Sequence, residues 1–215
     1  MFSHCSVQRL MGAIMSRNPA TTWEMLNVAM THFQTYIASK SDRFALSITD
    51  LLHVSNFKGG NASITEPEPG LSTKLRRYEA HLRKIDPIVS GWELGKLGDQ
   101  LGEVKVCGDS FLHLASDAKT KIRGFGPSYA SALLHAFFPD VMPVLDRRIL
   151  NGAGISVCLD SQGQVKNIGS HYGQLIDACQ KALSEDGALS LRQLDKRWFC
   201  AELPERFSPT AKEMT

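Results

Sequence analysis

Asp146 is the side chain of this 215-residue sequence best placed to do chemistry. It follows Pro143-Val144-Leu145 and precedes Arg147-Arg148, so one carboxylate lies between a proline-directed approach and two guanidinium groups. A carboxylate in such a place can stabilise positive charge developing in a transition state, or orient and deprotonate a water. Standing before Arg147-Arg148-Ile149-Leu150, it equally suits the N-cap of a helix. The two roles are compatible, because a cap fixes the direction of the side chain.

Upstream lies Ile122-Arg123-Gly124-Phe125-Gly126-Pro127-Ser128-Tyr129-Ala130. Gly124 and Gly126 permit backbone angles that a Cβ would forbid. Pro127 suits the first helical position, where an N–H would have no intrahelical partner. Free N–H groups at the start of the helix, with its dipole behind them, would make an anion site, and phosphate is the usual anion. Lys119, Lys121 and Arg123 run directly into this turn. Phe125 at its tip reads as an apolar plug more readily than as a base contact, and His135 on the following helix as a structural histidine.

This stretch resembles the helix-hairpin-helix motif of a DNA glycosylase superfamily, in which a hairpin of pattern h-x-G-h-G-x-(K or other)-x-A is followed, about 18 residues past the variable lysine slot, by a catalytic aspartate preceded by Pro-Val. The lysine slot holds Ser128, and Asp146 falls 18 residues beyond it. The motif covers roughly 30 residues, within a segment 109–150. The resemblance implies an all-α, helix-hairpin-helix glycosylase-like domain spanning 1–215. It implies an enzyme acting on double-stranded DNA that holds a damaged or modified base, with Asp146 catalytic and Lys121, Arg123, Gly124, Phe125, Gly126 and Ser128 at the DNA. Lysine in that slot attacks the sugar as an amine, and serine cannot. The implied activity is therefore monofunctional: water cleaves the N-glycosidic bond and an abasic site remains. Lys121 or Lys58 would be the substitutes if an amine acts. Such activity serves base-excision repair or defence against phage DNA with modified bases.

Acting on a base in a duplex requires flipping it out and filling the gap. Asn56, Phe57 and Lys58, in the run Asn56 to Asn61 rich in glycine, suit a wedge or a pocket wall, and equally an ordinary loop closing a helix. Two other classes compete with an enzyme: a non-catalytic DNA-binding module that uses the hairpin as a phosphate clamp, and a protein-interaction domain with a degenerate hairpin. The first leaves Asp146 without a purpose. The intact turn speaks against the second.

The elements that must hold these residues are helical. Thr21-Thr22-Trp23-Glu24 reads as a capping box opening a helix with Trp23, Leu26, Met30, Phe33 and Ile37 at helical spacing. Ser41-Asp42 opens another through Leu52. A basic helix runs from Leu71 to about Ile85 with Lys74, Arg76, Arg77, Arg83 and Lys84, a solvated face or a nucleic-acid face. A short helix spans Trp92 to Leu101, and Asp109 to Lys121 leads into the turn. Beyond Asp146 come a helix to about Asn151, a small hairpin or irregular loop over 152–169, a helix Ser170–Leu183, and a capping box Ser190-Leu191-Arg192-Gln193 opening a last helix through Trp198. Trp92 and Trp198 read as core and Trp23 as partly exposed. The tail from 204 reads as frayed.

At 43% hydrophobic and 21% charged residues the composition is that of a globular protein. Net charge is +2, so charge alone does not demand nucleic acid. No apolar run reaches membrane-span length, and the first fifteen residues lack the pattern of a signal peptide. Five widely spaced cysteines, Cys5, Cys107, Cys158, Cys179 and Cys200, point to reduced thiols in the cytoplasm. They lack the close spacing by which some members of the superfamily hold an iron–sulfur cluster. The expectation is a monomer with no cofactor and no metal.

Overall fold

The structure, a computed structural model, describes residues 19–60 and 62–201. The N-terminal stretch, Cys5, Asn61 and the tail after Pro204 lie outside the described residues. Eight α-helices make up the described chain: α1 Pro19–Ser39, α2 Ile48–Phe57, α3 Gly70–Val89, α4 Leu101–Leu114, α5 Pro127–Phe137, α6 Arg147–Gly152, α7 Tyr172–Glu185 and α8 Leu191–Phe199. Short 3-10 turns occur at Leu94–Lys96 and Ile168–His171. Among the described residues there is no strand, only isolated bridges at Ile122–Phe125 and Leu159–Val165.

The centre is α5. Every residue from Ala130 to Phe137 is buried, and a helix apolar on all sides belongs inside a bundle. Around it pack α1, α2 and α4. On α1, Trp23, Met30, Phe33 and Ile37 form the inward stripe that their spacing predicts. Trp23 is therefore core, not partly exposed. On α3 the stripe Leu71, Leu75, Tyr78, Leu82, Ile85 and Val89 is buried, while Arg76, Arg77, Arg83 and Lys84 face outward.

Several expected boundaries move. The first helix already runs through Thr21 and Thr22, so that pair does not open it. The second starts at Ile48, not at Ser41-Asp42, because Ser47 and Asp50 form the capping box there; Asp42 instead holds the turn by accepting from Phe44 N–H. The helix leading to the turn is α4, ending at Leu114, and residues 115–121 turn rather than continue it. Only a 3-10 turn forms between Trp92 and Leu101, and Trp92 is 39% exposed rather than core. Trp198 is partly buried. The Ser190–Gln193 box opens α8 as expected, and 152–169 is irregular with one bridge.

Candidate functional site

The segment Met142–Leu145 that delivers Asp146 is buried and belongs to no helix or strand. Buried backbone groups need partners, and here side chains supply them. His135 Nδ1 lies 2.8 Å from Met142 O, Tyr172 Oη donates to Pro143 O at 2.9 Å, Leu145 N–H donates to Ser131 Oγ at 2.8 Å, and Ser128 Oγ donates to Leu145 O at 2.8 Å. Because a carbonyl only accepts, the His135 proton sits on Nδ1. Burial keeps this imidazole neutral, its pKa pushed down to about 3. His135 is thus structural, as expected. Three of the four side chains lie on α5, so the helix that follows the turn also fixes the approach to Asp146.

Asp146 caps α6: its Oδ1 accepts from Arg148 N–H at 2.9 Å. Its Oδ2 accepts from Lys58 Nζ at 2.8 Å. The carboxylate is 28% exposed and the lysine side chain 10%. Burial pushes the Asp146 carboxyl upward, but Lys58, through charge and hydrogen bond, and the Arg148 N–H outweigh it, leaving the group below its ordinary value. It is ionised at neutral pH.

The carboxylate opens into a cavity of about 370 Å³, counting its open mouth; the closed part is narrow. Trp23, Phe57, Lys58, Arg192, Asp195 and Phe199 are among its walls. Arg192 pairs with Asp195 and donates through Nε to Asn27 Oδ1 at 2.8 Å. Its guanidinium lies over the rings of Trp23, 4.5 Å from the centroid, and Phe57, 5.4 Å. Burial raises the Asp195 carboxyl to about 6 against the pull of Arg192, and the nearby Asp146 charge adds to the rise.

Of the residues expected at the base pocket, Phe57 and Lys58 line this cavity. They lie at the last turn of α2 and its C-cap. Asn56 does not line it and is exposed. Trp23, Arg192 and Asp195 were not singled out from the sequence. Asp195 carried a signal: on α8 it shares one face with Leu191, Leu194 and Trp198, and a carboxylate within an apolar stripe is unusual.

The turn 122–126 is closed by Phe125 N–H donating to Ile122 O at 3.0 Å. Gly124 has φ +84, and a Cβ there would stand 2.0 Å from Ser63 O. Gly126 departs from the expectation. Its φ of −87 and ψ of −178 suit any residue, and a Cβ would meet nothing within 4 Å. Phe125 is the apolar plug of the turn, as its residue type suggested, and not the DNA contact that the resemblance implies: its side chain is 1% exposed and packs on Tyr78 and Tyr129. The Ser128 hydroxyl is spent on Leu145 O. Lys121 and Arg123 are exposed and flank a groove with Lys74, Glu66 and Gly124 to Gly126. Glu66 accepts from Arg123 N–H and pairs with Lys74, which reduces the positive field there. The N–H groups of Gly126 and Ser128 have no backbone acceptor among the described residues.

Cys107, Cys158, Cys179 and Cys200 are free thiols. No group of three or more His, Cys, Asp or Glu side chains converges among the described residues as metal ligands do, and none of the described helices is long and apolar enough to cross a membrane. Comparison with protein-family models, with curated proteins and with solved structures returned no significant match.

Proposed function

We propose that this chain is a DNA N-glycosylase of the helix-hairpin-helix kind, hydrolysing the bond between deoxyribose and a flipped damaged or modified base. The observation that carries the reading is Asp146: an ionised carboxylate, aimed by a cap and a side-chain-laced strap, at the mouth of a cavity walled by aromatic and charged groups. As the glycosidic C–N bond breaks, its electron pair leaves with the base and positive charge grows on the sugar. Asp146 opposes that charge at short range. Water then bonds to the sugar carbon, and its proton passes to Asp146. An abasic site remains.

The turn and the start of α5 serve as the DNA backbone contact, with the N–H groups of Gly126 and Ser128 turned to a phosphate and Lys121 and Arg123 beside it. Such contacts position the protein without reading sequence. The reaction would serve base-excision repair or the destruction of phage DNA that carries modified bases. A binding module without catalysis would use Asp146 only as a cap and ion-pair partner and would leave its opening into the cavity without a role.

The ion pair with Asp146 favours a second reading of the chemistry. Lys58 brings an amine to the carboxylate from a different element than the usual slot. Once its ammonium has given up a proton to water, that amine can attack the sugar carbon as the base leaves with the electron pair of the broken C–N bond; opening of the sugar ring then gives a Schiff base, with strand cleavage to follow. The deciding experiment incubates the protein with genomic and modified phage DNAs. Released bases are identified by mass spectrometry, and strand breaks are scored before and after alkali. Base release with alkali-dependent breaks supports hydrolysis. No base released from any DNA would overturn the enzyme.

A further inference from the structure

We propose that the cavity beside Asp146 takes a neutral, acceptor-rich base of the deaminated or oxidised kind rather than a cationic N-alkylated one, with Trp23 and Arg192 as its reading donors. This rests on the glycosylase reading and names its substrate class.

Two hydrogen-bond donors in the cavity wall are buried with no acceptor among the described residues: Trp23 Nε1 and Arg192 Nη2. Buried donors are nearly always satisfied, so two orphans in one wall call for a reason. The other nitrogens of the guanidinium are committed, Nε to Asn27 and Nη1 to Asp195. Nη2 is the arm left over. Indole N–H and guanidinium N–H only donate. A ligand that relieves both therefore presents acceptors, such as the carbonyl oxygens of an oxo-pyrimidine or oxo-purine.

The aromatic faces point the same way. A cationic alkylated base is held by open aromatic faces. Here Trp23 already carries Arg192 at 4.5 Å and Lys196 at 5.2 Å, and Phe57 carries Arg192 at 5.4 Å. Each of these cations is already paired with a carboxylate, Arg192 with Asp195 and Lys196 with Glu24, so they stay on the rings and leave no open aromatic face for a further cation. The closed part of the cavity is too narrow for a base, so entry parts these walls and brings the orphan donors to the incoming ring.

The test has a binding arm and a cleavage arm. In the first, the Trp23 indole N–H resonance, assigned by its loss in Trp23→Phe, is followed as the protein is titrated into the millimolar range with deoxyuridine, deoxyinosine or cationic 1-methyladenosine. Deoxyuridine or deoxyinosine should shift it saturably, and 1-methyladenosine at least about tenfold more weakly. The double variant Arg192→Met/Asp195→Leu, which removes the buried pair together so that no lone charge is left, should lose the response. No shift, equal shifts, or an undiminished response in the double variant overturns the inference. In the second arm, release from uracil-containing and 7-methylguanine-containing duplexes is compared. Faster or equal release of 7-methylguanine overturns the inference and leaves the enzyme standing. Nucleoside binding at Trp23 with no release from either duplex does the reverse.

Discussion

Lys58 Nζ lies 2.8 Å from Asp146 Oδ2, across 88 residues of sequence. One end of this pair is the C-cap of α2 and the other the N-cap of α6. An ammonium at the end of one helix and a carboxylate at the start of another each suit the dipole they cap. The pair therefore keeps the carboxylate charged inside a partly closed cavity and also joins two helices that carry its walls.

Asp146→Asn is expected to lower base release by about 10²–10³ while DNA affinity stays close to the parent; thermal stability falls, because the largely buried Lys58 ammonium loses its carboxylate. Asparagine caps helices as well as aspartate, so the bond to Arg148 N–H survives and the charge alone is lost. Single-turnover release on a duplex substrate checks this. Unchanged turnover removes Asp146 from the mechanism.

Lys58→Met is expected to move the acid limb of the kcat/KM profile to higher pH. Without the ammonium, burial is the dominant influence on Asp146 and raises its pKa. The active form is the carboxylate, so activity is lost at a pH where the parent still works. Borohydride should trap no protein–DNA adduct in the parent under the hydrolytic reading. An adduct that vanishes in Lys58→Met would establish the amine chemistry instead.

Asp146, its cap and the turn were legible because each is a local pattern. Pro143 sets the approach, Asp before an arginine pair begins a helix, and Gly124 in the left-handed region makes a turn. Lys58 was legible as a candidate wall residue, but its partner was not, since nothing local links the two ends of that pair. The Arg192–Asp195 wall was missed although Asp195 interrupts an apolar stripe on α8. The tryptophans were misread for a related reason. Trp23 sits in the stripe of Met30, Phe33 and Ile37, which decides its burial, whereas Trp92 follows Gly91 at φ +81 in a connection and has no helical face to bury it.

The two glycines of the turn should separate folding from binding. Gly124→Ala combines a left-handed backbone with a Cβ driven into Ser63 O, and a marked loss of stability is expected, on the order of several kcal/mol. Gly126→Val has open space and an ordinary extended φ, so the fold should hold. Its branched side chain stands beside the free N–H groups and should weaken binding to damaged and undamaged duplexes alike. Binding by the parent should weaken steeply with salt, because phosphate contacts release counterions. Affinity across a salt series, paired with thermal unfolding of each variant, reads both. Parental affinity in a folded Gly126→Val protein would reduce the turn to a connector.

His135 and Asp195 should oppose one another in the acid range. Burial holds the folded His135 pKa at about 3 against an ordinary 6.5. Its contribution is full above 6.5 and is lost as pH falls toward 3, because the unfolded chain takes up the proton first. Burial lifts Asp195 to about 6 against an ordinary 3.8. Its contribution runs the other way: it favours the folded state below 3.8 and is lost as pH rises through 6. Each effect approaches about 1.4 kcal/mol per pH unit at its steepest, so between pH 4 and 6 these two contributions largely cancel one another. His135→Gln removes one side of the balance. Whatever it costs at pH 7 through the bond to Met142 O, the gap to the parent should narrow steadily as pH falls from 6.5 to 4. Thermal unfolding of both proteins across that range decides it: parallel curves would mean that His135 is not held neutral in the core.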